Sequence, residues 1–213
     1  NNPFNLVASD DEWTAPIMAE VGPDGNVWII DWYNYIVQHN PTPLGFETGP
    51  GHAYLTDLRD KRFGRVYRIV PDTHETAGTY DPLNLSAATN AGLVDALRNP
   101  TMQVRLTAQR LLIERNAVEV MPELVKLIEN REIDEIGLNA GAIHSLQTLS
   151  GLGQIKNENS QISEAVYKAL SHPSAGVRIN ALRLLPDSEE SVEAIQASGC
   201  LQDFNRQVML ASI

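Results

Sequence analysis

The sequence has one cysteine, Cys200, among its 213 residues. A single thiol cannot form a disulfide within the chain, and it excludes an intramolecular Cys-x-x-Cys metal or haem motif. A nucleophilic cysteine also needs a nearby base, and no histidine lies within 25 residues of Cys200 in the sequence. We therefore expect Cys200 to be a small packed residue near the end of a helix.

The chain also lacks a long apolar run. No stretch approaches the roughly 20 apolar residues that a membrane-spanning helix needs. Asn1 to Phe4 have neither the basic start nor the apolar core of a signal peptide. We expect a mature fragment without its targeting segment, which does not itself span a membrane.

An excess of basic residues is missing as well. Lys and Arg number 16 against 27 Asp and Glu, which gives a net charge of −11 at pH 7. Such a chain, with no basic stripe visible in the sequence, lacks the electrostatic footprint for nucleic acid and for anionic membrane surfaces. The expected partners are another protein, other domains of the same polypeptide, or a second copy of the chain.

What is present is typical of a folded protein, with 43% hydrophobic and 20% charged residues. The apolar pattern changes near residue 80 from strand-like runs to helical spacing. We predict an α+β chain in two parts. A small antiparallel β-meander occupies residues 1–70, a linker occupies 71–82, and an all-α repeat array occupies 83–213.

The β-part centres on the turn Gly22-Pro23-Asp24-Gly25 between two apolar runs. Proline fixes φ at the first corner, and Gly25 tolerates the positive φ that closes such a turn. Strands are predicted at Pro16–Val21, Val27–Asp31, Tyr35–His39 and Arg65–Val70, with Val27–Ile30 buried. The long loop 40–62 ends in acids and bases that form either a small ion-pair cluster at 57–62 or a solvated surface.

The α-part shows apolar residues at helical intervals in seven segments. The predicted helices are Gly92–Arg98, Met102–Glu114, Met121–Glu129, Ile136–Leu149, Ser160–Leu170, Gly176–Leu185 and Ser191–Ala197.

A repeat emerges when these segments are superposed. Val104–Ala108, Ile136–Ala140 and Val177–Ala181 fill one template, and Val208 opens another copy, at intervals of 32, 41 and 31 residues. Helix pairs of this length with proline at the turn resemble HEAT repeats.

Two kinds of residue recur within the repeat. Ala108, Ala140 and Ala181 are expected to permit close helix approach. Arg105 and Arg178 are expected to bond loop carbonyls or neighbouring acids, and a ligand role is the alternative.

The chain also resembles a bacterial family of membrane-associated, sugar-type dehydrogenases found in planctomycetes, verrucomicrobia and Bacteroidetes. The resemblance spans nearly the whole chain. It is carried by the ordered motifs Ala19–Gly25, Asp31–Asn34, Gly64–Ile69, Arg105–Leu112 and His144–Gly153.

In that family a six-bladed β-propeller, similar to quinoprotein glucose and sorbosone dehydrogenases, precedes a helical repeat region, and a c-type cytochrome often follows. The resemblance implies that residues 1–70 are the closing blade of a periplasmic or cell-envelope protein. It also implies that PQQ and c-type haem belong to the full-length parent and no cofactor belongs to this chain. A propeller site is assembled from several blades, so this fragment is expected to have no turnover. Its bare strand edges are expected to be covered by the helical part, by the loop 40–62 or by another copy.

Candidate site residues are few. Asp31, beside Trp32 and Tyr33, could bind sugar hydroxyls or a cation, whereas the structural interpretation has Asp31 bonding turn amides while the aromatics pack. His144 is expected to be a satisfied core histidine at the position of Leu112 and Leu185, with catalysis as the alternative.

The other histidines lie in or beside loops. His39, His52 and His74, with Asp57 and Asp60, show no recognised ligand spacing, so we expect no metal site.

Three functions remain open at this stage. The first is a non-catalytic fragment of a quinoprotein-like dehydrogenase with a scaffolding repeat array. The second is a stand-alone HEAT-repeat adaptor without a redox role. The third is a hydrolase using Asp31, His39 and the acidic loop.

Overall fold

A computed structural model describes residues 5–34, 42–49, 54–57, 62–70, 83–155 and 160–213. The chain divides into two compact units, Asn1–Asp81 and Pro82–Ile213. The first holds a small antiparallel sheet and the second holds helices, which confirms the α+β layout of strands followed by helices. The predicted linker, 71–82, lies outside the described residues.

The sheet has three strands in the part of the chain that the structure describes, β1 (Pro16–Val21), β2 (Val27–Asp31) and β3 (Arg65–Ile69). The predicted turn joins β1 to β2, with Gly25 at a φ of 78° and the Gly22 amide bonded to the Asn26 carbonyl at 2.8 Å. This hairpin is confirmed, because the turn residues and the β-branched run agree.

The order of the strands differs from the predicted meander. β2 pairs with β1 on one side and with β3 on the other, both antiparallel. The predicted strand Tyr35–His39 lies outside the described residues; within the described part, β3 is the strand that pairs with the second edge of β2.

The predicted burial of Val27–Ile30 is only partly right. Of the β2 residues, Ile29 and Asp31 are buried, whereas Ile30 is exposed. Alternation places these side chains on opposite faces, so β2 has one covered and one open face.

A carboxylate ties the turn to the far strand. Asp24 Oδ1 accepts from the Trp28 indole nitrogen at 2.9 Å, and Oδ2 accepts from Arg68 Nε at 2.6 Å. Burial alone would raise the pKa of Asp24, but the hydrogen bonds from Trp28, Asn26 and Arg68 lower that pKa well below its ordinary value. The charged form of Asp24 therefore connects β2 and β3.

The described part of the second unit contains eight α-helices. They are α1 (Asn90–Ala96), α2 (Met102–Glu114), α3 (Met121–Glu129), α4 (Ala140–Gly151), α5 (Ser160–Ala169), α6 (Ala175–Leu184), α7 (Glu189–Ser198) and α8 (Arg206–Ala211). The side chains of Thr89, Asn139, Ser188 and Asn205 cap α1, α4, α7 and α8.

The helices pack in pairs, and the pairs stack. α1 contacts α2, α3 contacts α4, and α5 contacts α6, while a 3₁₀ turn at Cys200–Gln202 contacts both α7 and α8. The second helices, α2, α4, α6 and α8, form a row in which each contacts the next; we call α1, α3, α5 and α7 the first helices. One apolar core, with Leu112, Leu146 and Val177 fully buried, runs through the stack.

Cys200 lies in this core, as predicted for a small packed residue. It is buried, and its thiol donates to the Leu170 carbonyl oxygen at 3.3 Å. Its position supports packing rather than nucleophilic chemistry.

The predicted start of the fourth helix at Ile136 is wrong. α4 begins at Ala140, because Gly137 has a φ of 79° and Asp134 Oδ1 accepts from the Ile136 and Leu138 amides. These residues form a tight turn before the Asn139 cap. Ile136, placed by the sequence template at the position of Val104, is exposed, whereas Val104 is buried.

Counting from each N-cap aligns the four second helices with one another. Val104, Ala142, Val177 and Val208 all stand third after the cap and are buried. Their intervals are 38, 35 and 31 residues, so the predicted interval of 32 and 41 around Ile136 is wrong. Leu146, rather than Ala140, occupies the seventh position that Ala108 and Ala181 hold.

The predicted arginine contacts are confirmed. Arg105 Nη1 donates to the Asn99 and Pro100 carbonyls at 2.6 and 2.8 Å. Arg178 Nη1 donates to the His172 and Pro173 carbonyls at 2.7 and 3.0 Å. Each arginine stands fourth after its N-cap and holds the turn before its own helix.

The outer edges of the two guanidinium groups differ. Arg178 Nε and Nη2 bind the two Asp203 carboxylate oxygens at 2.8 and 3.0 Å. Arg105 Nε is buried and has no hydrogen-bond partner among the described residues, and burial lowers the pKa of Arg105. Asp203 stands two residues before Asn205, the N-cap of the second helix that follows Arg178. The matching position after Arg105, two residues before Asn139, is Gly137, which offers Arg105 no carboxylate.

We predict that Asp203→Ala lowers the free energy of unfolding by about 2–3 kcal/mol, because it leaves the largely buried Arg178 charge uncompensated. Urea titration followed by circular dichroism at 222 nm measures the change. The matched control is Asp95→Ala, whose pair with Arg98 is exposed, and which should shift stability by less than about 0.5 kcal/mol. Equal effects of both substitutions would show that the Arg178–Asp203 pair does not brace the last helix pair.

Candidate functional site

Both oxygens of the Asp31 carboxylate accept hydrogen bonds from residues of the first unit. Its side chain is buried, Oδ1 accepts from the Ala15 and Tyr33 amides at 2.7 and 2.8 Å, and Oδ2 accepts from the Tyr67 hydroxyl at 3.0 Å. The interpretation in which Asp31 bonds backbone amides is confirmed. A ligand would have to displace these donors to reach the carboxylate.

The residues beside Asp31 form a compact cluster. Tyr33, at a φ of 49°, donates its hydroxyl to Asp11 Oδ2 at 3.0 Å. The Arg65 guanidinium lies 3.4 Å from the centre of the Tyr33 ring, and Trp13 stacks at a tilt 5.9 Å from it. Trp32, predicted to pack with Tyr33, is instead 48% exposed.

The contacts within the cluster stabilise the ordinary protonation states of Asp11, Tyr33 and Arg65. The hydrogen bond from the Trp13 amide, with that from Tyr33, lowers the pKa of Asp11, and the bond to Asp11 raises the pKa of Tyr33. The hydrogen bond from Arg65 to the Tyr67 hydroxyl raises the pKa of Arg65. The shifts of all three groups move them away from neutral pH, so the arrangement favours anchoring of the strand ends over proton transfer.

Several predicted site residues lie outside the described residues, namely His39, His52, His74 and Asp60. The hydrolase hypothesis depends on His39 and stays a prediction. Within the described ranges no group of three or more His, Cys, Asp and Glu side chains could hold a metal ion. In the same ranges no helix is long and apolar enough to cross a bilayer.

His144 lies on α4 and bonds to the preceding second helix. Its Nδ1 is 2.7 Å from Gln109 Oε1 on α2, so Nδ1–H donates to that oxygen. The prediction that His144 replaces Leu112 and Leu185 is wrong, because His144 stands fifth after its N-cap, where α2 has Leu106. The cause is the same misalignment of α4, since the residue that matches Val104 is Ala142 and not Ile136, a shift of six residues.

A second amide contact continues the pattern between the next two helices. Gln147 Nε2 on α4 donates to Asn180 Oδ1 on α6 at 2.6 Å. Gln147 and Gln109 both stand eighth after their N-caps. We call Gln109, His144, Gln147 and Asn180 the amide seam; sequence analysis missed it, and only the correct helix register reveals its spacing.

The seam borders an open face of the second helices. Residues one, five and nine after an N-cap lie on one side of a helix. We call the accessible ones the second-helix stripe, which consists of Met102, Leu106, Arg110, Ala140, His144, Ala175, Ile179, Arg183, Arg206 and Leu210. All are exposed or half-buried, and none is acidic, so the stripe offers apolar and basic groups.

A cavity of about 340 Å³ lies between the first helices α3 and α5. Its lysine, Lys168, is paired with Glu164 at 2.8 Å and Glu129 at 3.7 Å. Its histidine, His172, accepts from the Ser174 amide at Nδ1 and donates from Nε2 to a carbonyl, and burial lowers its pKa. These groups are already satisfied, so the stripe is the better candidate for an interaction site.

We predict that Asp31→Asn destabilises the first unit by about 1–3 kcal/mol, because an amide nitrogen cannot accept the hydrogen bonds that the carboxylate receives. Trp13, Trp28 and Trp32 are the only tryptophans of the chain, so tryptophan fluorescence follows this unit selectively during thermal unfolding. Asp10→Asn, at an exposed acid beside the cluster, is the control and should be silent. An unchanged transition in Asp31→Asn would reopen a ligand role for Asp31.

We also predict a pH dependence from His144. Burial, with a smaller contribution from the Arg105 charge, lowers its pKa to about 4 from an ordinary 6.5. Between these values the unfolded chain takes up the proton more readily. The contribution of neutral His144 to stability is therefore fully present above pH 6.5, and it is lost as the pH falls towards 4.

In His144→Gln this loss should shrink by on the order of 2 kcal/mol, measured as unfolding free energy at 222 nm against pH. Asn180→Ala disturbs the amide seam without removing a titrating group, so it should lower stability equally at every pH. A His144→Gln profile parallel to that of the unsubstituted chain would disprove the depressed pKa.

Comparison with known proteins gives one match. The family described as a domain of unknown function, DUF7133, matches residues 1–73. No curated protein and no solved structure matches the chain. The match covers about a third of the chain, all within the strand unit, and its description assigns no activity.

Proposed function

We propose that the chain is a non-catalytic part of an extracytoplasmic, quinoprotein-like sugar or alcohol dehydrogenase of bacteria. In this proposal residues 1–70 are a propeller blade, and the helical unit is a HEAT-like array. The array serves as a scaffold that docks a protein or another domain of the same polypeptide. The dehydrogenase context is supported by the motif resemblance, and the docking role by the helical geometry.

The observation that carries the docking role is the open second-helix stripe. Four helices of the row present it side by side, and the amide seam fixes the spacing between α2, α4 and α6. Repeat arrays expose such continuous faces because each repeat contacts only its neighbours. Of its apolar members, Leu106 and Leu210 are exposed, and Ile179 is half-buried against the edge of the core.

The absence of turnover in this chain is supported by the two described candidates for catalysis. Asp31 accepts three hydrogen bonds from its own unit, and His144 bonds to Gln109. The Asp31 carboxylate is thus occupied by two amides and the Tyr67 hydroxyl, and His144 Nδ1 by an amide oxygen. Catalysis in the parent would then depend on residues of other blades.

The cofactors of the proposed parent do not fit the residues of this chain. Covalent c-type haem needs two cysteines, and the chain has only Cys200. The polar side chains around Asp31 bond one another and leave no convergent set for a quinone. PQQ and haem would therefore be held elsewhere in the parent.

A stand-alone adaptor with no redox role is the second candidate. The stripe lies wholly within the helical unit, so docking does not require that the strand unit belong to a dehydrogenase. The two candidates differ in the identity of the docked partner. A haem-carrying domain of the same polypeptide favours the first, and an unrelated protein favours the second.

Photo-crosslinking in the native host tests the docking role. A benzoylphenylalanine at Ile179, on the stripe, should give a discrete crosslinked product in the full-length protein. The same group at Val192, exposed on first helix α7, is the matched control and should give none. No product from Ile179, or equal products from both positions, would refute docking on the stripe.

A further inference from the structure

The first helices and the second helices carry opposite net charge. The first helices contain seven acids and two bases, and the second helices contain five arginines and one acid. The net charges are thus −5 and +4 in a chain whose total is −11. The sequence alone showed no basic stripe, because the arginines come together only when every second helix is placed in one row.

The fold does not require all of these arginines. Arg105 and Arg178 hold the turns before their helices. Arg183 and Arg206 are exposed and have no partner among the residues that the structure describes. Arg110 makes only an exposed pair with Glu114 at 3.3 Å, which contributes little to stability. Three arginines are therefore available to a partner.

We infer that the second-helix stripe binds an acidic polypeptide segment in which apolar side chains are interspersed with Asp and Glu. This inference rests on the docking role proposed above and adds the chemistry of the partner. The exposed arginines would pair with carboxylates, and Leu106, Ile179 and Leu210 would contact the apolar side chains.

The choice of basic residue suits bidentate binding of an anionic group such as a carboxylate. The described second helices contain arginine and no lysine, whereas the first helices contain lysine and no arginine. A guanidinium group binds a carboxylate through two parallel hydrogen bonds, which an ammonium group cannot do. The arginines are thus suited to oriented recognition rather than to diffuse attraction.

A nucleic acid fits the same surface less well. Phosphate backbones are bound by dense clusters of positive charge, whereas the three available arginines of the stripe are spread over α2, α6 and α8. The apolar residues of the stripe also have no counterpart along a phosphate backbone. An acidic polypeptide satisfies both components, because its charge lies between side chains that leucine and isoleucine can contact.

Fluorescence anisotropy with the full chain tests the inference. The probe is a fluorescein-labelled peptide with the repeating sequence Glu-Leu-Asp-Gly. A Lys-Leu-Lys-Gly peptide and a single-stranded DNA oligonucleotide carry the same label. We expect saturable binding of the acidic peptide at low salt, weakening as salt is added. Binding of the basic peptide to the acidic remainder of the chain should not weaken in the arginine variants described below.

Substitutions then locate the site. Arg183→Gln and Arg206→Gln, at exposed positions, should each weaken binding about two- to threefold and together about fivefold. Lys126→Gln, on first helix α3, is the matched control and should leave binding unchanged. Equal weakening in Lys126→Gln, tighter binding of the DNA, or no binding of the acidic peptide would each overturn the inference.

The peptide-binding measurement tests the chemistry of the partner, and the crosslinking measurement tests the docking role. A crosslinked partner at Ile179 without binding of the acidic peptide would leave docking intact and refute only the acidic chemistry. Failure of both measurements would refute the docking surface itself.

Discussion

The stacking of the helices depends on how the turns before the second helices are held. A helix end leaves carbonyl groups without intrahelical partners, and the Asn99–Pro100 turn adds to them a proline without an amide. Arg105 satisfies two of these carbonyls from the helix that follows, and Arg178 repeats the contact with nearly the same distances. Because the arginine lies on the helix and its acceptors lie on the turn, the contact fixes the direction in which each second helix begins.

The second helix pair shows what happens without that arginine. Its fourth position after the N-cap is Ile143, and its turn is longer. The Asn130 carbonyl there accepts from Asn139 Nδ2 at 2.8 Å and from His172 Nε2 at 2.8 Å. A histidine from the next turn thus takes over the same task. The constraint is the set of turn carbonyls before each second helix, and the residue type that satisfies them varies.

The parts of the fold that could be predicted from the sequence are those that local residues determine. Pro-Asp-Gly fixes its turn locally, so the β1–β2 hairpin followed from sequence. α4 did not, because Ile136–Ala140 has the residue types of the repeat but forms a turn closed by Asp134 and Gly137. The pairing of β2 with β3 and the contact of Gln109 with His144 are non-local. They depend on the register of elements far apart in sequence, which composition and periodicity do not determine.

The same distinction separates structural from functional charge. Arg105 and Arg178 are explained by the carbonyls that they hold, and Asp31 is explained by the amides and the hydroxyl that it accepts. Arg183 and Arg206 satisfy no group among the described residues, although they lie on a strongly acidic chain where an acid would be the ordinary surface choice. A charge that the fold does not require, placed on one row with exposed apolar residues, is better explained by recognition than by stability. The case for a docking surface therefore depends on the residues that packing leaves unexplained.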